Sequence, residues 1–322
     1  MQTDMFPSLI MGTFMMVTSV TVFFITIFFS ETLNFNGSQI GLLFSVNALT
    51  GMFAALPAGI GNDRITSRTL IIISLIFQVI CFFLMSVVRS FWLFMPVYFL
   101  WSLSTWLFRW SMDNQFLKTA ASEDTGSRIG FYQSLRFVGL TIGTIFSGYS
   151  IAMLDFERTL MAVGGICLLL IIPSLYLKPT RVSKVRFSQY KADFSDRKVI
   201  LFALWLLLFA SHWGAEQTSY GLFLKKNLHL SMTQMGWYTA AEFAAIIITV
   251  IVAGDLIGRN GNARKIALFG LLASGIGHIG MVFPSIPISV FFRIVHGFGD
   301  GCMTLVMFYG ITKLFSIEHI GG

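Results

Sequence analysis

The chain has 322 residues and a formal net charge of +7, yet only 11% of its residues are charged and 55% are apolar. A soluble globular protein carries roughly 25% charged residues. This composition therefore excludes an ordinary soluble domain and indicates a protein whose helices face lipid.

The apolar residues are gathered into long blocks. A bilayer core about 30 Å thick needs about 20 apolar residues in helical form, and ten blocks reach or approach that length. Such blocks predict spanning α-helices, because lipid cannot satisfy exposed backbone polar groups. The predicted fold is all-α and polytopic, with blocks 1 to 10 at 6–29, 40–60, 69–88, 91–110, 129–154, 159–177, 199–224, 235–257, 266–283 and 288–308.

Basic residues collect in the loops that follow the even-numbered blocks. These loops hold fifteen Lys and Arg residues, against four in the opposite loops. Cytoplasmic loops carry such an excess, so we expect a cytoplasmic N-terminus in a plasma membrane, typified by the bacterial cytoplasmic membrane. Because the positive charge follows topology, no nucleic-acid partner is expected. The fifteen are Arg64, Arg68, Lys118, Arg128, Lys178, Arg181, Lys184, Arg186, Lys191, Arg197, Lys198, Arg259, Arg264, Lys265 and Lys313.

The sequence repeats itself at an offset of 195 residues. Leu33 aligns with Leu228, and Gln39 aligns with Gln234. The polar stretch 179–198 is the natural linker, which predicts an N-terminal bundle of six helices at 1–178 and a C-terminal bundle at 199–322. The second bundle holds only four predicted helices, so we expect two more after residue 322 in the complete protein, twelve in all; a genuine ten-helix protein is the alternative.

A charged loop between blocks 2 and 3 has the spacing G-x-x-x-D-R-x-x-x-R, and a weaker copy follows block 8. In residues and position it resembles the loop motif of the major facilitator superfamily. The resemblance implies two six-helix bundles around a central cavity, with this motif as a cytoplasmic gate; a plain basic loop is the alternative. The motif residues are Gly59, Asp63, Arg64 and Arg68, with Gly254 and Arg259 in the second copy.

Block 10 carries Arg293, then His296 three residues later, then Asp300. This order resembles the lactose-permease-like proton symporters, although here the acid follows the His by four residues instead of three. The segment that begins at Arg136 in block 5 resembles that branch's substrate-binding arginine segment. Glu242 in block 8 lies where the branch often carries an acidic substrate ligand.

Ionisable groups within a bilayer are costly, so each is a functional hypothesis. Residues 293, 296 and 300 share one helix face, as do 212 and 216. We predict a substrate and proton site without metal or cofactor, drawn from Arg136, His212, Glu216, Glu242, Arg293, His296 and Asp300.

These features predict a secondary active transporter that moves a small solute by alternating access, by proton-coupled symport. A buried carboxylate near Arg or His can exchange a proton as its neighbours rearrange, and proton and solute together neutralise the site. The sequence contains neither a metal-binding motif nor a nucleophile elbow, so we do not expect an enzyme. For the ionisable residues, the alternative is a set of permanent structural ion pairs. For the protein, the alternatives are a drug or metabolite efflux antiporter and a non-transporting assembly factor. The expected partners are the solute, protons and the lipid bilayer, and the protein is expected to act as a monomer.

Overall fold

Long apolar helices dominate the computed structural model, which describes residues 2–119, 125–180, 182, 195–260 and 262–315. Seven helical segments within these ranges are long and apolar enough to cross a membrane. The helices are α1 (Gln2–Thr18), α2 (Val20–Phe23), α3 (Ile25–Ile27), α4 (Gly37–Arg64), α5 (Ser67–Val87), α6 (Phe91–Thr119), α7 (Thr125–Ser174), α8 (Arg197–Ala215), α9 (Gly221–Lys226), α10 (Met232–Asn260), α11 (Ala263–Gly280) and α12 (Ile286–Leu314), with π-helical turns at Phe28–Thr32 and Glu216–Tyr220.

The predicted blocks coincide with helix apart from a few end residues and from short interruptions at Ser19 and Phe24 in block 1, which confirms the all-α, polytopic fold. Blocks 5 and 6 both lie in α7, where Asp155 interrupts the helix with φ 72° and ψ 175°. A left-handed φ is rare for a non-glycine residue, and here it separates two spans within one long segment. The chain is therefore a multi-pass membrane protein.

The 195-residue repeat extends to the backbone. Asn36 and Gln39 form a reciprocal capping box at the start of α4, and Ser231 and Gln234 make the equivalent bonds before α10. Two residues before each of these caps, Asn34 and His229 have φ of 55° and 54°. A side chain that accepts from the N3 amide fixes where a helix begins. The same device thus sets the start of α4 and of α10.

The chain separates into two compact units that are each discontinuous in sequence. The first unit contains Met1–Phe23, Ala120–Met153 and Gly221–Ile311, and the second contains Phe24–Thr119, Leu154–Tyr220 and Thr312–Gly322. These units group helices by close packing and do not follow the boundary expected at 179–198. The two-bundle division rests on the sequence repeat and stays a prediction.

Glycines bring helices of the first unit close together. A Cβ on Gly12 of α1 would lie 2.7 Å from the carbonyl oxygen of Leu135 in α7, and one on Gly236 of α10 would lie 2.6 Å from that of Thr144. One on Gly297 of α12 would lie 2.6 Å from the carbonyl oxygen of Glu242. Small residues are favoured where membrane helices approach closely. They place α12 directly against the part of α10 that carries Glu242.

Aromatic side chains form the core of the second unit. The ring of Phe29 lies 5.4–6.3 Å, between centroids, from those of Phe35, Phe44, Phe94 and Tyr98. Tilted and edge-to-face pairs at such distances are favourable beyond the area they bury. This cluster joins the π-helical turn after α3 to α4 and α6.

Candidate functional site

An ion pair between α10 and α12 lies at the centre of the candidate site. The Nη2 atom of Arg293 lies 2.6 Å from Oε2 of Glu242, and these side chains are 1% and 4% exposed. A second Arg293 nitrogen, Nη1, lies 3.0 Å from the sulfur of Met281, just beyond α11. Arg293 is among the largest fully buried side chains that the structure describes. Glu242 and Arg293 therefore neutralise each other at a position without access to water.

His296 lies beside this ion pair, one turn along α12, and its tautomer follows from its contacts. Its Nδ1 atom is 3.0 Å from the backbone oxygen of Ser274 on α11. A carbonyl oxygen can only accept, so Nδ1 carries a hydrogen and donates it. The other nitrogen, Nε2, faces Asp300 Oδ2 at 3.5 Å and Glu242 Oε1 at 3.9 Å. The hydroxyl of Ser274 donates to the remaining Asp300 oxygen, Oδ1, at 2.7 Å.

Two carboxylates, one guanidinium and one imidazole thus meet on α10 and α12. A lone pair on Nε2 would face two carboxylate oxygens, whereas a proton on Nε2 would make both contacts attractive. We define Glu242, Arg293, His296 and Asp300 as the charge cluster, a group of ionisable side chains that is buried within the first unit.

The same atoms are also close enough together to bind a metal ion. Ligand atoms of Glu242, His296 and Asp300 lie within 4.8 Å of one another. Arg293 opposes a divalent ion there, because its guanidinium already occupies one carboxylate at 2.6 Å.

The other predicted site residues lie on other segments of the chain. Arg136 is in the first half of α7 and is 9% exposed. His212 and Glu216 belong to the second unit, at the end of α8 and the start of the following π-helical turn. His212 packs against the rings of Phe209 and Trp213, and Glu216 is buried. Their roles in binding stay predictions.

Gln133 and Ser274 were not among the residues predicted from the sequence. Gln133 lies one turn before Arg136 on α7 and is fully buried. Both residues are neutral, so a search for ionisable groups in apolar blocks overlooks them. A search for every long polar side chain at membrane depth would have found Gln133.

The loop motif is organised around a second buried ion pair, in the second unit. Lys118 of α6 places Nζ 2.7 Å from Oδ1 of Asp63 and 3.1 Å from the backbone oxygen of Asn62, and the ion-paired side chains are 5% and 0% exposed. Asn114 donates to the hydroxyl of Ser67 at 2.8 Å. The start of α5 is thus joined to the end of α6 at the predicted cytoplasmic gate.

Arg68 of the motif and Gln115 of α6 both reach the segment that follows α7. Arg68 donates to the carbonyl of Leu177 at 3.5 Å, and Gln115 donates to that of Lys178 at 2.9 Å. Arg64 is exposed at the end of α4, and Gly59 is buried within it. One partner of Asp63 is Lys118, a residue which the sequence had indicated only as a marker of topology.

The second motif copy lacks a buried ion pair between its own residues. Arg259 bonds Asp255 at 2.8 Å, but the two side chains are 75% and 47% exposed. Gly254 packs closely, because a Cβ there would lie 3.0 Å from the carbonyl oxygen of Gly126. The two copies therefore share their position in the repeat and differ in their chemistry.

We expect Asp63→Asn to lower the thermal stability of the purified protein and to slow solute exchange more than it weakens solute binding. Removing one partner of a buried ion pair costs about 3–5 kcal/mol, because the other charge stays buried. A melting curve in detergent measures the first effect, and exchange rate against binding affinity in proteoliposomes measures the second.

The matched control is Asp255→Asn, because an exposed pair contributes only about 0–1 kcal/mol. The double variant Asp63→Asn with Lys118→Met should recover much of the lost stability, because both charges are removed together. If binding collapses in Asp63→Asn while the exchange rate holds, Asp63 does not act at a gate.

A cavity of about 380 Å³ lies between α10, α11 and α12, on the apolar surfaces of these helices. Its walls include Ile248, Phe269 and Phe298, with Lys265 among the few polar residues. None of the predicted site residues lines it. Its apolar character suits hydrocarbon better than a polar solute, so we place the site at the buried ionisable groups.

The family of the chain follows from a match along almost its whole length. A family model described as the Major Facilitator Superfamily matches residues 8–224 and 204–322. The chain belongs to the Major Facilitator Superfamily. No curated relative matches the chain significantly by sequence.

Solved structures of two transporters share the fold at low sequence identity. The nucleoside transporter NupG, as a D323A mutant, matches with a TM-score of 0.71 and 15% identity, over 99% of this chain and 90% of its own. The human organic anion transporter MFSD10 (TETRAN) matches with a TM-score of 0.70 and 13% identity, over 99% and 87%. These matches show that the chain shares its fold with the two transporters, and the family model confirms the superfamily predicted from the sequence.

Proposed function

We propose that the protein is a secondary active transporter that couples the uptake of a small solute to the entry of protons, acting as a monomer by alternating access. The observation that carries this proposal is the charge cluster: two carboxylates, one arginine and one histidine, buried together on α10 and α12. Membership of a transporter superfamily supports solute transport in general, and the charge cluster supports the proton.

The charge cluster suits reversible protonation better than a permanent structural role. A structural ion pair needs only Glu242 and Arg293, which already neutralise each other. His296 and Asp300 add a second carboxylate and a histidine whose orientation Ser274 fixes. Buried ionisable groups beyond those required for pairing are expensive, and in membrane proteins they mark ion and proton pathways.

Purified protein in proteoliposomes tests the proposal. A panel of radiolabelled sugars, nucleosides, carboxylates and amino acids is presented with the outside one pH unit more acidic than the inside. That gradient stores about 1.4 kcal/mol per proton, which corresponds to about tenfold accumulation of a solute that moves with one proton. Solute extrusion under the same gradient would indicate an efflux antiporter, and no movement of any solute would overturn transport itself.

We also propose that the N-terminus and the basic loops are cytoplasmic, in a plasma membrane, because of the excess of basic residues. Lys226 and Arg264 are exposed beyond opposite ends of α10. The three native cysteines, Cys81, Cys167 and Cys302, are buried and give little labelling background. An impermeant maleimide should label Lys226→Cys in intact cells and Arg264→Cys only after lysis; the reverse pattern would invert the topology.

A further inference from the structure

The cavity between α10, α11 and α12 opens onto the outer surface of the first unit. Its volume is about 380 Å³. Val252 and Leu256 of α10 and Phe269 of α11 line it, and they are 54%, 42% and 58% exposed. Exposed apolar surface of this kind marks a site of interaction with a membrane or another apolar partner. The cavity is therefore accessible from the hydrocarbon of the bilayer.

The dimensions of the cavity suit one acyl chain. Its wall on α10 runs from Ile248 to Leu256, which covers about 12 Å along the helix. One leaflet of the hydrocarbon core is about 15 Å deep. A helix about 10 Å across would fill roughly 900 Å³ over the same length, more than twice the volume of the cavity. A single chain of methylene groups fits inside, whereas a helix could insert only side chains.

One end of the cavity is basic. Lys265, in the first turn of α11, is part of the cavity wall, and Arg264 precedes it. Both residues are exposed. Arg259 at the end of α10 is paired with Asp255, whereas neither Arg264 nor Lys265 forms an ion pair with a carboxylate among the described residues. Two positive charges thus lie where α11 begins, beside an apolar cavity.

A ligand of this cavity must combine hydrocarbon with a negative charge. A lysine at the end of a membrane helix extends its ammonium group to the level of the lipid headgroups while its stem stays on apolar surface. Basic pockets between membrane helices bind the phosphate of anionic lipids. We propose that the cavity binds one anionic phospholipid, with an acyl chain inside it and the headgroup phosphate bound by Lys265 and Arg264.

This lipid site is independent of the solute and of the proton. Under the topology proposed above, it lies in the cytoplasmic leaflet, whose anionic lipids attract basic residues close to the membrane surface. Lipid binding can be measured on the purified protein without any solute. Failure of the transport proposal would therefore leave the lipid site intact, and the converse also holds.

Native mass spectrometry of the whole purified protein in detergent tests the site. The probes are phosphatidylglycerol and phosphatidylcholine with identical palmitoyl and oleoyl chains, which differ in net charge. A basic residue near an anionic lipid contributes about fivefold in affinity, so we expect one phosphatidylglycerol to bind about five- to twentyfold more tightly than phosphatidylcholine. An excess of glycerol phosphate, which has the headgroup phosphate without the chains, should not displace it.

Two variants separate the headgroup contact from the cavity. Lys265→Gln should weaken phosphatidylglycerol binding about fivefold and leave phosphatidylcholine binding unchanged. Val252→Trp places an indole ring in the cavity from its exposed rim and should remove the preferential binding of one phosphatidylglycerol. The matched controls are Lys198→Gln, an exposed lysine in the first turn of α8, and Ile251→Trp, a 52% exposed neighbour that is not part of the cavity wall. Both should bind lipid like the parent.

Three outcomes would overturn the proposal. If both lipids bind equally to the parent, the occupant is an apolar group without a recognised charge. If Lys265→Gln loses phosphatidylglycerol while Val252→Trp retains it, the lipid binds the basic surface outside the cavity. If glycerol phosphate displaces the lipid, the ligand is a free phosphate compound. Melting curves without lipid check folding, and the exposed position of Lys265 keeps the test decisive if Val252→Trp folds poorly.

Discussion

Asp300→Asn should abolish proton-driven accumulation while solute exchange continues. The Asn oxygen can still accept from Ser274, as Asp300 Oδ1 does at 2.7 Å. The Asn amide group would face Nε2 of His296 and can donate to its lone pair. The variant therefore removes one carboxylate charge from the charge cluster, as protonation of Asp300 would do in the parent.

The measurement compares accumulation with counterflow on the same vesicles. Under a gradient of one pH unit, the solute concentration inside the vesicles should be about tenfold higher than that outside for the parent, and equal to it for the variant. Counterflow requires only that loaded states cross the membrane, so its rate should stay close to that of the parent. If Asp300→Asn still concentrates solute against a gradient, the coupling proton is bound elsewhere.

Glu242→Gln and Arg293→Met should each destabilise the protein strongly, and the double variant should recover stability without recovering transport. Each single change leaves one buried charge without its partner, which costs about 3–5 kcal/mol. Replacing both partners of a buried pair by neutral groups is often close to neutral for stability. Melting curves of the two single variants and of the double variant measure this coupling.

Transport by the double variant decides between a structural and a functional ion pair. If Glu242 and Arg293 serve only to join α10 to α12, recovered stability should bring recovered proton-driven uptake. If they set the charge of the site that takes up the proton, uptake should stay lost in a well-folded protein. The control is the exposed pair Arg89 and Glu157, whose double neutralisation should change neither property.

The helices and the repeat were predictable because they depend on local properties of the chain. Apolar block length fixes where a span can form, and the matching entries of α4 and α10 reflect capping side chains that lie within three residues of each other. The break at Asp155 was also foreseeable as a division between two blocks, although its left-handed backbone was not.

The partners of the ionisable residues were harder to predict, because they depend on which helices pack together. The order of Arg293, His296 and Asp300 along α12 was visible in the sequence, and the structure brings all three to Glu242. The pairing of Asp63 with Lys118 was not visible, because the bonded residues lie on different helices.

The turns at Asn34 and His229 occupy equivalent positions in the two copies of the 195-residue repeat. Both residues hold the same left-handed backbone, yet one is an amide and the other an imidazole. Asn and His are among the few non-glycine residues that tolerate this conformation. The two copies of the repeat therefore share the backbone angle at this position and differ in the side chain. At this turn the torsion angles reveal the repeat more clearly than the residue identities do.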